Sequence, residues 1–104
     1  MIVYNVTVHV EDTVREDWIR WMQEIHIPDV LATGLFREAR LCRIRSDQDT
    51  GGTSYSVQYL APDAASLEAY YRDHAPRLRQ AFTTRYGDRC LAFRTELELL
   101  SRHE

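Results

Sequence analysis

The stretch SDQDTGG, Ser46–Gly52, with TSYSVQYL, Thr53–Leu60, after it, decides the fold. Two adjacent glycines among Ser, Asp and Thr mark a tight turn, because glycine adopts positive φ without steric cost. Beyond the turn, Tyr55, Val57 and Tyr59 alternate with Ser54, Ser56 and Gln58. That period of two predicts a strand with one apolar and one polar face. Before the turn, Leu35–Arg45 reads as its partner. Its alternation is imperfect: Phe36, Cys42 and Ile44 share one phase, Ala39 and Leu41 the other. A bulge, or a strand buried partly on both faces, accounts for this. The centre of the chain is therefore a β-hairpin.

A helix is expected on each side of the hairpin. Upstream, Thr13 and Glu16 fit a capping box, with Glu16 and Asp17 favourable in the first turn. Val14, Trp18, Trp21, Met22 and Ile25 then form one apolar stripe. Pro28 disfavours helical backbone at Ile27, so the helix is expected to end or kink there, with Gly34 closing a following turn. Downstream, Asp63 is the expected N-cap of a second helix whose stripe runs through Leu67, Tyr70, Tyr71, Leu78, Phe82 and Tyr86. Pro76 should break it near His74–Ala75 and stand in the first turn of the restart, and Gly87 should end it.

At the two ends lie the outer strands. Ile2, Tyr4, Val6, Val8 and Val10 alternate with Val3, Asn5, Thr7 and His9. In Cys90–Leu99 the expected apolar phase is Leu91, Phe93, Leu97 and Leu99, with Arg94 and Glu96 on the other side. The order βαββαβ is the split βαβ arrangement of an α+β, ferredoxin-like sandwich. Right-handed crossovers give a four-stranded antiparallel sheet ordered 4-1-3-2 with both helices on one face. Residues 1–99 form the one expected domain and 100–104 a frayed tail.

Composition narrows the function. The 104 residues carry a formal charge of −3 with no basic run, which argues against nucleic acid as a partner. No apolar stretch approaches the roughly 18 residues of a membrane span. The start, MIVYNVTVHVEDT, lacks a basic n-region and reads as a first strand. Cys42 and Cys90 form no CxxC or Cys/His cluster, so neither zinc nor a disulfide framework is indicated, and a reducing, cytoplasmic setting is expected. They fall on opposite edge strands, which argues against a bridge within one chain and leaves a bridge between chains open. All thirteen basic residues are arginine, through codon bias or through surface pairing with carboxylates.

WMQEIHIPDVLATGLF, Trp21–Phe36, GGTSYSVQY, Gly51–Tyr59, HAP, His74–Pro76, and RCLAFRT, Arg89–Thr95, resemble the family catalogued as domain of unknown function 4286. That family is similar to the dimeric α/β-barrel superfamily, whose members include cofactor-free quinone-forming monooxygenases, haem-degrading enzymes and muconolactone isomerase-like proteins. The resemblance implies the fold and a homodimer, not a reaction. The haem-degrading members place an asparagine on the first strand, where Asn5 stands, and use a tryptophan and a haem-ligating histidine on the second helix. Here Tyr70 or Tyr71 and Gln80 fall at those places. The resemblance therefore implies no haem, and no cofactor is expected.

With that fold, Asn5, Thr7, His9, Ser54, Ser56, Gln58, Arg94 and Glu96, joined by Arg40 or Arg43, line the sheet face away from the helices. Either solvent wets this face, or a second copy covers it and leaves a polar-lined cavity between two sheets. Asn5, Arg40, Gln58 and Arg94 are then the candidate ligand-binding residues, or pair across the dimer. His26 and His74 are the candidate general acids or bases, since imidazole titrates near neutrality. Alternatively His26 caps helix carbonyls and His74 satisfies backbone freed by Pro76. Asp29 and Asp73 could orient them. Trp18, Trp21, Tyr70 and Tyr71 read as core packing. Two functions follow: a dimeric binder of a small aromatic or carbonyl compound, with cofactor-free monooxygenase- or isomerase-like chemistry open to it, or a structural or regulatory dimerisation domain.

Overall fold

In the computed structural model, which describes residues 1–46 and 50–104, strand β1, Ile2–Glu11, runs through the middle of one sheet. It pairs antiparallel with β3, Gly52–Ala61, on one side and with β4, Cys90–Glu98, on the other. Strand β2, Glu38–Arg43, pairs with β3, so the order is β2-β3-β1-β4, as the sequence predicts. Gly51, with φ of 75°, supplies the positive φ expected of the hairpin. Asp47, Gln48 and Asp49 of that turn lie outside the described residues.

Tyr4, Val8 and Val10 of β1 and Tyr55, Val57 and Tyr59 of β3 are buried under the helices. The first helical layer is α1, Arg15–Trp21, a π-helical turn, Met22–His26, and α2, Ile27–Leu31. The Thr13 capping box does not form: a 3₁₀ turn, Asp12–Val14, comes first and α1 has no side-chain cap. Asp12 instead accepts from Thr53 Oγ1 at 3.3 Å and from Arg15 at 3.4 Å, tying the turn to β3.

The helix does not stop before Pro28. Proline cannot donate to the carbonyl of Glu24, and its ring crowds that carbonyl. A wider turn relieves both, and the Ile27 N–H bonds to the Met22 carbonyl five residues back. The extra residue rotates everything after Trp21. Ile25, expected on the apolar stripe, is 48% exposed, and His26 turns inward to stack on Trp21 with ring centroids 4.7 Å apart. His26 is thus inside the helix and is not a C-terminal cap.

The second layer follows expectation. Asp63 Oδ1 accepts from the Ser66 N–H at 2.8 Å and starts α3, Ala64–Asp73. The chain breaks at His74 and restarts as α4, Ala75–Tyr86, with Pro76 in its first turn. Gly87 ends α4 at φ of 59°. The Tyr86 hydroxyl donates to Asp17 at 2.8 Å and locks α4 onto α1.

Two strand readings need correction. β2 has no bulge: its register with β3 is continuous, with Ala39 and Leu41 on the helix side and Arg40 and Cys42 on the open side. In β4 the phase is opposite to that expected. Ala92, Arg94 and Glu96 pair with Val8, Val6 and Tyr4 and so face the helices. Leu91, Phe93 and Leu97 pair with His9, Thr7 and Val3 and face away; Phe93 is 65% exposed. Residue size misleads here. The small Cys90 and Ala92 lie over the inner end of this edge strand, and the polar Arg94 and Glu96 reach its uncovered margin. Cys90 is consequently buried on the helix side while Cys42 is exposed on the other, and both are free. Residues 100–104 form no element and are exposed.

Candidate functional site

A small cavity, about 30 Å³, lies between the helix-facing side of the sheet and the helices. Val6, Val8 and Val57 form its floor, and Tyr4 and Tyr59 one wall. Met22 and His26 descend from the π turn, Tyr70 from α3, and Arg79 and Phe82 from α4. Ala92 and Arg94 close it at β4. That volume accommodates about one or two waters.

Three polar groups meet there. His26 lines this cavity and also a solvent-open groove on the outer side between the π turn and α4. Burial pushes its pKa down, to about 4, with Arg94 acting the same way and Asp29 opposing. His26 is therefore a neutral imidazole at neutral pH. Arg79 donates through Nη2 to the Tyr4 hydroxyl at 3.1 Å and lies 5.6 Å over the Tyr71 ring. Its Nε–H is buried without a hydrogen-bond partner among the described residues. Arg94 forms no ion pair among them. Glu96, on the same side of β4, accepts from the Tyr71 hydroxyl at 3.1 Å. Burial, with Tyr4 adding to it, pushes the Tyr70 phenol up to about 12, so it stays protonated.

The other sequence candidates fall elsewhere. His74 is not in the cavity lining; its ring stacks 6.5 Å from Tyr70, and its Nδ1 is buried without a partner. Asp73 pairs with Arg72 at 2.9 Å. Asn5, Arg40 and Gln58 sit on the open face, and the expectation that Arg94 joins them is overturned by the phase of β4. On that face the polar groups bond to one another. Asn5 accepts from Ser56 at 2.6 Å and donates to Thr7 and Thr95 at 3.1 and 3.2 Å. Gln58 donates to Ser56 at 3.4 Å, and Arg40 pairs with Glu38 at 3.2 Å. Sequence reasoning passed over Arg79. The available signal was its spacing: Ala75 and Phe82, four before and three after it, put an arginine on the apolar stripe of α4.

Among the described residues no group of three or more His, Cys, Asp or Glu is placed to hold a metal ion, and no helix is long and apolar enough to cross a membrane.

A family model described as a domain of unknown function, DUF4286, matches residues 1–100. The chain belongs to this family. Solved structures similar to this DUF4286 chain share its ferredoxin-like fold. An ethyl tert-butyl ether D (EthD) family protein from Bacillus halodurans C-125 superposes with a TM-score of 0.69 at 15% identity, over 96% of this chain and 100% of that one. A dimeric ferredoxin-like protein from an uncultured marine organism gives 0.68 at 13% identity, over 98% and 97%. A dimeric ferredoxin-like protein of unknown function from Jannaschia sp. CCS1 gives 0.52 at 22% identity, over 95% and 100%. No curated protein matches the sequence.

Proposed function

We propose that the chain is a homodimer in which each copy binds a small aromatic or carbonyl compound between its sheet and its helices. The observation that carries this is the convergence of His26, Arg79 and Arg94 on one cavity otherwise walled by aromatic and aliphatic side chains. A few polar groups aimed into an apolar recess are the usual composition of a ligand site. The sheet's other face supports the dimer. Its polar centre is internally hydrogen-bonded, so covering it strands few donors. Its β4 margin presents Leu91, Phe93 and Leu97, apolar area that a second copy would remove from water. Two similar structures are described as dimeric.

A neutral His26 offers a bound carbonyl compound one ring N–H donor and one ring-nitrogen acceptor without metal or cofactor, and burial makes it a weak base, so isomerase-like or cofactor-free oxygenase-like chemistry there would rest on hydrogen bonding to the compound. The test is a thermal-shift screen with quinones, phenols and aromatic ketones. A genuine ligand at 100 times its Kd stabilises by about 2.7 kcal/mol. The expected result is a rise in Tm for at least one compound, lost in His26→Ala. A rise that His26→Ala retains removes the cavity assignment.

A second reading is favoured by one observation. About 30 Å³ is far below an ordinary ligand site of roughly 300 Å³ or more, as a dimerisation domain with a nearly filled interior would show. A screen without a single rise supports that reading.

A further inference from the structure

We infer that the recess between sheet and helices receives an acidic group, a carboxylate borne on a flat aromatic ring, and that Arg79 and Arg94 clamp it. This rests on the proposed ligand site and names the charge of what enters it.

The cavity holds positive charge that no carboxylate among the described residues matches. Arg15, Arg40, Arg72 and Arg85 each pair with a carboxylate at 2.9 to 3.4 Å. Arg79 and Arg94, like several other arginines, pair with none among the described residues, and these two are the arginines that line the cavity. Arg79 spends one N–H on a neutral acceptor, the Tyr4 hydroxyl, and keeps its buried Nε–H unmatched. Buried donors are almost always satisfied, and leaving a charged one unsatisfied costs free energy. Glu96 is the carboxylate nearest in sequence on that side of β4, and Tyr71 holds it. Among the described residues no acidic side chain lines the cavity.

Guanidinium groups present parallel N–H donors whose spacing matches a carboxylate, and such charge-assisted pairs are the strong hydrogen bonds of protein interiors. The Tyr4 hydroxyl, while accepting from Arg79, still has its own proton to donate. Val6, Val8 and Val57 below and Phe82 above are apolar, and His26, Tyr59 and Tyr70 also line it. The small volume sets the pose. The acidic head occupies the recess, and the ring lies at the mouth between half-buried Phe82 and exposed Arg94 on the edge strand.

The experiment compares benzoate with benzamide, which has nearly the same shape but no charge, by calorimetric titration of the full chain. Benzoate is expected to bind at least about ten-fold more tightly. Arg94→Gln should abolish that preference while leaving the Tm of the unliganded protein unchanged, since Arg94 is exposed and unpaired. Arg79→Lys keeps the charge but loses the fork, and should weaken benzoate about ten-fold without unfolding the helix. Equal affinity for the two probes overturns the inference and leaves the ligand site standing for a neutral compound. So does a neutral phenol or ketone that binds where benzoate does not. Failure of both probes and of every compound in the wider screen overturns the inference and the ligand site together.

Discussion

Phe93→Asp is expected to halve the mass of the particle in solution. The wild type should run at twice 12.2 kDa by light scattering at micromolar concentration, and the variant at 12.2 kDa. Phe93 stands at the middle of β4 and is 65% exposed in the single chain, so the monomer loses little packing when it is replaced. In a face-to-face pair the same position is covered, and burying an unpaired carboxylate costs several kcal/mol or forces it to take up a proton. Two-fold symmetry applies that cost twice. The far-ultraviolet dichroism of the variant should match the wild type, because the helix-side core is untouched. An unchanged mass for the variant would place the contact elsewhere.

Acidification gives the second large effect. The His26 pKa falls from 6.5 in the unfolded chain to about 4 in the folded one, chiefly through burial. Between those values the unfolded chain binds the extra proton and the folded chain does not. Stability is therefore full above pH 6.5, declines as pH falls through the window, and levels off near 4. The loss across the window is about 3 kcal/mol, a large part of the 5–15 kcal/mol typical of a small domain. Asp29 and Arg94 act on the ring in opposite senses and partly cancel. The carboxyls of Asp17, Asp63 and Asp73 are held below 3.8 and titrate outside this window. Urea denaturation at pH 7.5 and 4.5, at one protein concentration, should show the decline in the wild type and little of it in His26→Gln. Equal declines in both would assign the pH dependence to other groups.

Much of this fold is legible in the residues themselves. The hairpin glycines, the Asp63 cap, the break at His74 before Pro76 and the Gly87 stop each rest on local backbone chemistry that tertiary packing did not override. The π turn and the phase of β4 were not legible, for different reasons. The π turn before Pro28 moves Ile25 out and His26 in, and no count of threes and fours anticipates a turn of five. The phase of β4 depends on where the helices stop covering the sheet, which is a property of the assembled layers. Leu91, Phe93 and Leu97 look like core until β1 is seen to pair Val8 with Ala92 and Val6 with Arg94. That one inversion moves Arg94 from the open face to the cavity, beside His26 and Arg79. It also separates the candidate residues into two groups. Asn5, Arg40 and Gln58 are bonded to neighbours on the open face, and the three cationic or titratable groups gather on the other.

Which side of the sheet takes the ligand is open to one direct measurement. Benzoate and benzamide, titrated into methyl-labelled protein and followed by carbon-13 correlation spectra, should shift the methyl signals of Val6, Val8 and Val57, which floor the cavity. The signals of Val3, Leu91 and Leu97, on the opposite face, should stay in place. Movement of Val3, Leu91 and Leu97 with Val6, Val8 and Val57 silent would put the site between the two sheets and contradict the assignment.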